Sequence, residues 1–315
     1  MPSIYKNADS NVRKTWFLIT GFLVFIIAVG WLFSYLLDSN GILVFAVFLS
    51  VIMSFGSYWW SDKIVLGMYH ALPVEHNKNP ELYHVVENLC ITAGLPIPKI
   101  YIIPEAQPNA FATGRDAKHA VVAVTQGLLN RLDKSELQGV IAHELSHIGN
   151  RDMLLSTVVA VLAGVVALLA NMFLRISWWG GGRRRSNSEG NAGAILAILG
   201  IVAAILAPIA ATLVQLAISR KREFLADADG VLLTRYPEGL AKALEKISAD
   251  STPMKVKNDA TASLFIDEPC RKAKNPLVHQ TIYDPPASRR TDKSSPRYGD
   301  LKLYWNELVL SSIKI

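Results

Sequence analysis

The sequence predicts a mostly α-helical chain with a small β-sheet, carrying four hydrophobic membrane helices. Three observations point there. Of 315 residues, 51% are hydrophobic and only 18% are charged, more apolar than an ordinary soluble domain. Four apolar runs each reach the ~20 residues that cross a bilayer core. Strand-like alternation is confined to short stretches between residues 98 and 125.

The first run spans 16–37 and is too long for a signal-peptide core, so it reads as an anchor that stays. Asp38-Ser39-Asn40 turns the chain into the second run, 41–60, and residues 1–60 form a transmembrane hairpin. The third run covers 153–176 and the fourth 192–219. A Gly/Ser/Arg linker, 177–192, joins them and reads as flexible, so 153–218 form a second hairpin, which either spans the membrane or is only partly sunk in it. Pro208 predicts a kink in the fourth run. Trp59, Trp60, Trp178 and Trp179 stand at run ends, where an aromatic belt belongs. The net charge is +6, and many of the basic residues flank the runs. An N-terminus in the cytoplasm puts Lys6, Arg13, Lys14, Lys63, Arg151, Arg220, Lys221 and Arg222 on that side. Arg175, Arg183, Arg184 and Arg185 fall on the other, and the excess favours this orientation. The basic residues form no pattern with aromatics that would suit nucleic acid. Cys90 and Cys270 have no CxxC partner and imply no disulfide framework.

Residues 61–152 and 219–286 then lie in the cytoplasm as the two halves of one α+β domain, with 287–315 as a tail. In the first half, Leu82, Val85, Val86 and Leu89 recur at helical spacing, and the helix stops near Gly94. PKIYIIP (98–104) reads as a strand. NAFATGRDAKHAVVAVT reads as two strands about a turn at Gly114-Arg115-Asp116. Ser135 is expected to cap the next helix, with Gln138 closing a capping box. The second half opens with a helix, SRKREFLADADGVLLTRY. An amphipathic packing helix follows at 236–247.

The helix after Ser135 carries HELSH. Positions i and i+4 share a helix face, so His143 and His147 can hold one metal ion. Glu144 sits beside that ion and can take a proton from water. This is the HExxH arrangement of zinc peptidases, in a domain that is then zincin-like. A catalytic zinc site wants a third protein ligand. Between residues 148 and 222 there is no His or Cys, and the acidic residues are Asp152 and Glu189. Asp152 reads as past the helix face, and Glu189 lies in the linker. Glu223 is the next carboxylate, and it is assigned as the third ligand of one zinc ion per subunit. Asp227, four residues on, is placed to hydrogen-bond a ligand histidine. The competing reading of Glu223 and Asp227 is a solvated acidic face that answers Arg220, Lys221 and Arg222. His70, His76, His84 and His119 read as ordinary surface or core residues.

NAFATG, AVVAVTQGLL, ELQGVIAHELSHIGNRD and SRKREFLADADG together resemble the HtpX family of membrane-embedded zinc endopeptidases, relatives of the CaaX prenyl endopeptidases. The resemblance covers roughly residues 10–283. It implies a multi-pass protein of the cell membrane whose site faces the cytoplasm and cleaves misfolded or damaged membrane proteins. It implies His143, His147 and Glu223 as zinc ligands and Glu144 as the general base. It also implies that Asn109, Ala110, Phe111 and Ala112 form an edge strand whose open backbone groups align an extended substrate. The departure lies near the C-terminus. Family members usually carry a segment like FDTHPP, whereas here Tyr283-Asp284 leads straight into Pro285-Pro286, as if Thr-His were missing. A truncation or altered reading frame in the last tenth of the chain is one hypothesis. The resemblance implies that the missing histidine helps stabilise the tetrahedral intermediate, and on that hypothesis the loss of such a donor costs ~100–1000-fold in rate, which leaves some activity. Two other classes stand beside the peptidase. A client-binding scaffold that keeps zinc but does not cleave needs no Glu144. A transporter lacks charged residues within the runs, apart from Arg175 near an end.

Overall fold

The computed structural model describes residues 3–36, 38–180, 220–256 and 261–267, together with residues 202, 208 and 212. The first helix, α1 (Ser3–Leu36), begins well before the apolar run, and Asp38, in the left-handed region at φ 48, turns the chain into α2 (Asn40–Trp59). Small residues on α2 (Ala46, Ser50, Ser54 and Ser57) are buried, while bulky ones face outward. Val44, Phe45, Phe48 and Phe55 are all exposed, as is Phe17 on α1. A continuous apolar surface of this kind suits lipid rather than water. The helices α3 (Ser61–Met68) and α4 (Pro80–Ala93) follow, with the short strand β1 (Leu72–Pro73) between them. Asn79 caps α4 and Gly94 ends it in the left-handed conformation.

β2 (Lys99–Ile103), β3 (Ala110–Gly114) and β4 (Ala120–Thr125) complete a sheet in the order β1-β2-β4-β3. β4 runs parallel to β2 and antiparallel to β3. Its residues are buried on both faces and alternate between two cores. Val122 and Val124 join α4 and the next long helix, whereas Val121 and Ala123 meet Tyr69, Phe111 and Phe265. After α5 (Gln126–Arg131) comes α6 (Lys134–Gly149), the helix that bears HELSH.

α6 starts with a different cap from the expected one. Asp133, not Ser135, is the N-cap. Its carboxylate accepts from the backbone of Ser135 and Glu136, and Glu136 closes the box on the Asp133 N–H at 2.9 Å. Asp133-x-x-Glu136 supplies a stronger reciprocal pair than Ser135-x-x-Gln138, and Lys246 anchors Glu136 at 2.6 Å.

α7 (Asp152–Gly180) leaves α6 at a bend of 84°. Arg151, at φ 55, makes the turn. Two helices among the described residues, not four, are long and apolar enough to cross a membrane, within Asp9–Tyr35 and Asn40–Trp59, and a third is possible if α6 and α7 count as one broken span. The start of the third run also packs inside the protein. Met153, Leu154, Leu155, Val158, Val159 and Leu162 pack on several sides of α7, against α1 and the sheet domain. Helices that are apolar all round serve a protein core as readily as a bilayer. The fourth run is outside the described residues except for positions 202, 208 and 212. The linker beyond residue 180, the Pro208 kink, Cys270, Tyr283-Asp284 and the tail also lie outside them. The remaining helices are α8 (Arg220–Thr234) and α9 (Pro237–Ala249), followed by a 3-10 turn at Ala262–Leu264.

Candidate metal centre

The site forms where α6 meets α8. Gly230 on α8 comes so close to α6 that a Cβ there would lie 3.1 Å from the His143 backbone nitrogen. Glycine permits that approach, which sets the start of α8 opposite the histidine face.

His143 and His147 point their Nε2 atoms at each other, 3.2 Å apart. Glu223 Oε2 lies 3.6 Å from the first and 3.7 Å from the second. A tetrahedral zinc with bonds of ~2.0–2.2 Å separates its ligand atoms by ~3.3–3.6 Å, so the three donors fit one such ion. Each imidazole has its other nitrogen occupied. Asp227 Oδ1 accepts from His143 Nδ1 at 2.9 Å, and Asp152 Oδ2 lies 3.4 Å from His147 Nδ1. With the protons on Nδ1, both Nε2 lone pairs face the common point.

The electrostatics agree with the geometry. Burial disfavours the His143 cation, yet Asp227 and Glu223 raise its pKa well above the usual value. His147 is likewise buried, and Asp152 and Glu223 push it up to about 9. Burial also opposes the Glu223 anion, but the two imidazoles hold it far below the usual carboxylate range. The metal-free site therefore gathers protons at the point where a cation fits. Glu144, next to His143, is buried, and burial raises its pKa despite the neighbouring imidazoles. Its carboxylate accepts a backbone hydrogen bond from Ala112. A carboxylate so placed is a stronger base than one in water. Glu223 keeps 40% of its side chain exposed, so the centre opens toward that side.

Asn109, just before β3, and Ala110, Phe111 and Ala112 on it are all buried, and β3 is the edge strand of the sheet. The edge is not open along its whole length. Ala110 O accepts from Ile266 N at 3.1 Å, and Asn109 binds the Asp267 backbone through both atoms of its carboxamide. Phe111 turns into an aromatic cluster with Tyr69 and Phe265. These backbone partners come from a segment 158 residues further along at Asp267, which periodicity in NAFATG could not reveal. His70, His76, His84 and His119 are exposed and stand apart from the centre.

Sequence reasoning missed Asp152, which it set past the helix face. The sharp bend at Arg151 brings the carboxylate to His147. The available signal was a lone acidic residue heading an otherwise apolar run. It missed Asn11 as well, a buried amide on α1 that bonds to Asp152.

Residues 76–293 match peptidase family M48. The protease HtpX homologs of Caldanaerobacter subterraneus subsp. tengcongensis and Pyrococcus furiosus are 46% and 47% identical to this chain. The alignments cover 89% and 87% of it, and 96% and 91% of those proteins. The homolog from Syntrophobacter fumaroxidans is 50% identical over 73% of the chain and 81% of its own length. The crystal structure of S. mikatae Ste24p is similar at a TM-score of 0.44 and 21% identity, covering 84% of this chain and 64% of that one.

Proposed function

The chain belongs to peptidase family M48, among the HtpX-type proteases, and on that premise we propose that it is a zinc-dependent endopeptidase that cleaves misfolded or damaged membrane proteins from the cytoplasmic side of the cell membrane. That it is a membrane metalloprotease follows from the family and the two apolar helices. The observation that carries the finer reading is the convergence of His143 Nε2, His147 Nε2 and Glu223 Oε2 within 3.2–3.7 Å, beside Glu144.

In this reading residues 61–152 and 219–286 supply the two halves of the catalytic domain. His143, His147 and Glu223 hold one zinc, and Asp227 orients His143. Zinc, when bound, supplies a Lewis acid that polarises the scissile carbonyl and acidifies water. Glu144 takes the proton from the attacking water and delivers it to the leaving amide nitrogen. Its raised pKa suits both transfers. The β3 edge beyond Ala110 aligns an extended peptide, with Ala112 adjoining Glu144. The lipid bilayer holds α1 and α2, and basic flanks such as Arg13 and Lys14 favour a cytoplasmic N-terminus.

The test is cleavage of an unfolded protein by the detergent-purified full chain, beside Glu144→Gln, with zinc content measured in both. The parent should cut, stop with a chelator and recover with zinc. Glu144→Gln should keep its zinc and lose ~10²–10⁴-fold in rate. If both hold zinc and neither cuts, the peptidase reading fails and a client-binding scaffold takes its place. Co-reconstitution with a destabilised membrane protein and its stable parent tests the substrate class, which fails if both are cut equally.

A further inference from the structure

We propose that Asn11, on the first membrane helix, is a positioning residue for the metal centre, acting on His147 through Asp152. The inference rests on reading His147 as a metal ligand.

Asn11 is only 5% exposed. A carboxamide nitrogen carries two hydrogens, and Asn11 spends both across the break between α6 and α7. One goes to the backbone oxygen of Asn150, at the C-terminal cap of α6, at 3.2 Å. The other goes to Oδ1 of Asp152, the first residue of α7. The second oxygen of that carboxylate faces His147 Nδ1 at 3.4 Å. The chain of contacts is thus membrane helix, amide, carboxylate, imidazole, with one oxygen for each neighbour. Asp152 is 2% exposed, so water does not stand in for a lost partner. Arg222 Nε on α8 lies 4.0 Å from the same Oδ1. Without Asn11 the carboxylate turns toward that guanidinium and leaves His147 less firmly held.

Holding the helices together does not require this amide. Ile19, Phe22 and Ile26 on α1 already pack against Leu154, Val158 and Leu162 on α7. What Asn11 adds is a directional bond at the break itself, beside the ligand helix. An outer partner of a ligand typically changes metal affinity ~10–100-fold. Asn11 acts one bond further out, so the lower end of that range applies.

The experiment measures zinc affinity of the full chain in detergent by competition with a chromophoric chelator, and the visible spectrum of the cobalt(II) form, which reports ligand geometry. Asn11→Leu should weaken zinc about tenfold and shift the cobalt bands. In an Asp152→Ala background it should change neither, because the route through Asp152 is already cut. Ile19→Ala should lower thermal stability and leave zinc affinity alone. Should Asn11→Leu fail to fold, Asn11→Ser, too short to reach Asp152, carries the same expectation. Parental affinity and spectrum in Asn11→Leu, or an equal loss in the Asp152→Ala background, overturns the proposal. If His147→Ala binds zinc as the parent does, the reading of His147 as a ligand fails instead, and the two failures are distinct.

Discussion

His143 and His147 sit one turn apart on the same helix, yet different parts of the molecule hold them. Asp227, 84 residues away in sequence, meets His143 at 2.9 Å. It rides on α8, the helix that also brings Glu223. Asp152 is only five residues from His147 but stands off at 3.4 Å, and it depends on Asn11, 141 residues away. Sequence distance therefore says little about stiffness. One imidazole answers to packing within the catalytic domain. The other is held through a carboxylate that α1 also reaches, so in the proposed reading a disturbance of α1 is felt first at His147.

Removing either imidazole erases this difference. His143→Ala and His147→Ala should both lose zinc and reduce cleavage to background, because two protein ligands remain where a catalytic site needs three. Metal content and proteolysis measured side by side check it. Retention of zinc by one of them would show that the two are not equal ligands.

Loss of the supporting carboxylates should restore the contrast. Asp227→Asn and Asp152→Asn should each weaken zinc by ~10–100-fold, with Asp227→Asn at the upper end because its bond is shorter. Chelator competition reads the order directly, and equal losses would dissolve the asymmetry.

Acidity offers a third probe. The His147 pKa is raised from 6.5 to about 9, so zinc must displace a proton at neutral pH. Apparent affinity should climb between pH 6.5 and 9, about tenfold per unit for each proton released. Stability of the metal-free protein runs the other way. A folded pKa above the unfolded one gives stabilisation that is full below about 6.5 and is lost as pH rises through about 9. Thermal melts of the metal-free form at pH 6 and 9.5 test the sign, and saturating zinc should flatten this contribution.

The smallest effect is expected from Gly230→Ala. The added carbon would press on the His143 backbone at 3.1 Å, costing about 1–3 kcal/mol in stability. It should loosen the α8 side while leaving the Asn11–Asp152 side intact, seen as a lower melting temperature with a modest loss of zinc affinity.

Much of the centre was legible because its rules are local. Helical spacing places His143 and His147 on one face, and the same spacing pairs Glu223 with Asp227. The absence of other donors between 153 and 222, save Glu189, led to Glu223. The helix at 80–93 and the strands around Gly114 also follow from short-range pattern. What escaped depends on long-range geometry. Asp152 becomes a partner of His147 only through the sharp bend at Arg151, and Asn11 only because α1 lies against α7. The cap at Asp133 was displaced by two residues because two adjacent box patterns compete and burial of Glu136 settles between them. Hydropathy alone did not show that the start of α7 packs against α1 and the sheet domain.

The order of these residues along the chain matters while the protein is being made. A ribosome releases His143, Glu144 and His147 as a group, but the third donor is residue 223 of 315. Until α8 has emerged and folded back on α6, the nascent chain has two metal donors, and His143 lacks its carboxylate. In the proposed reading the unfinished polypeptide therefore has no complete metal centre, and the site closes only when the segment that completes its domain has arrived.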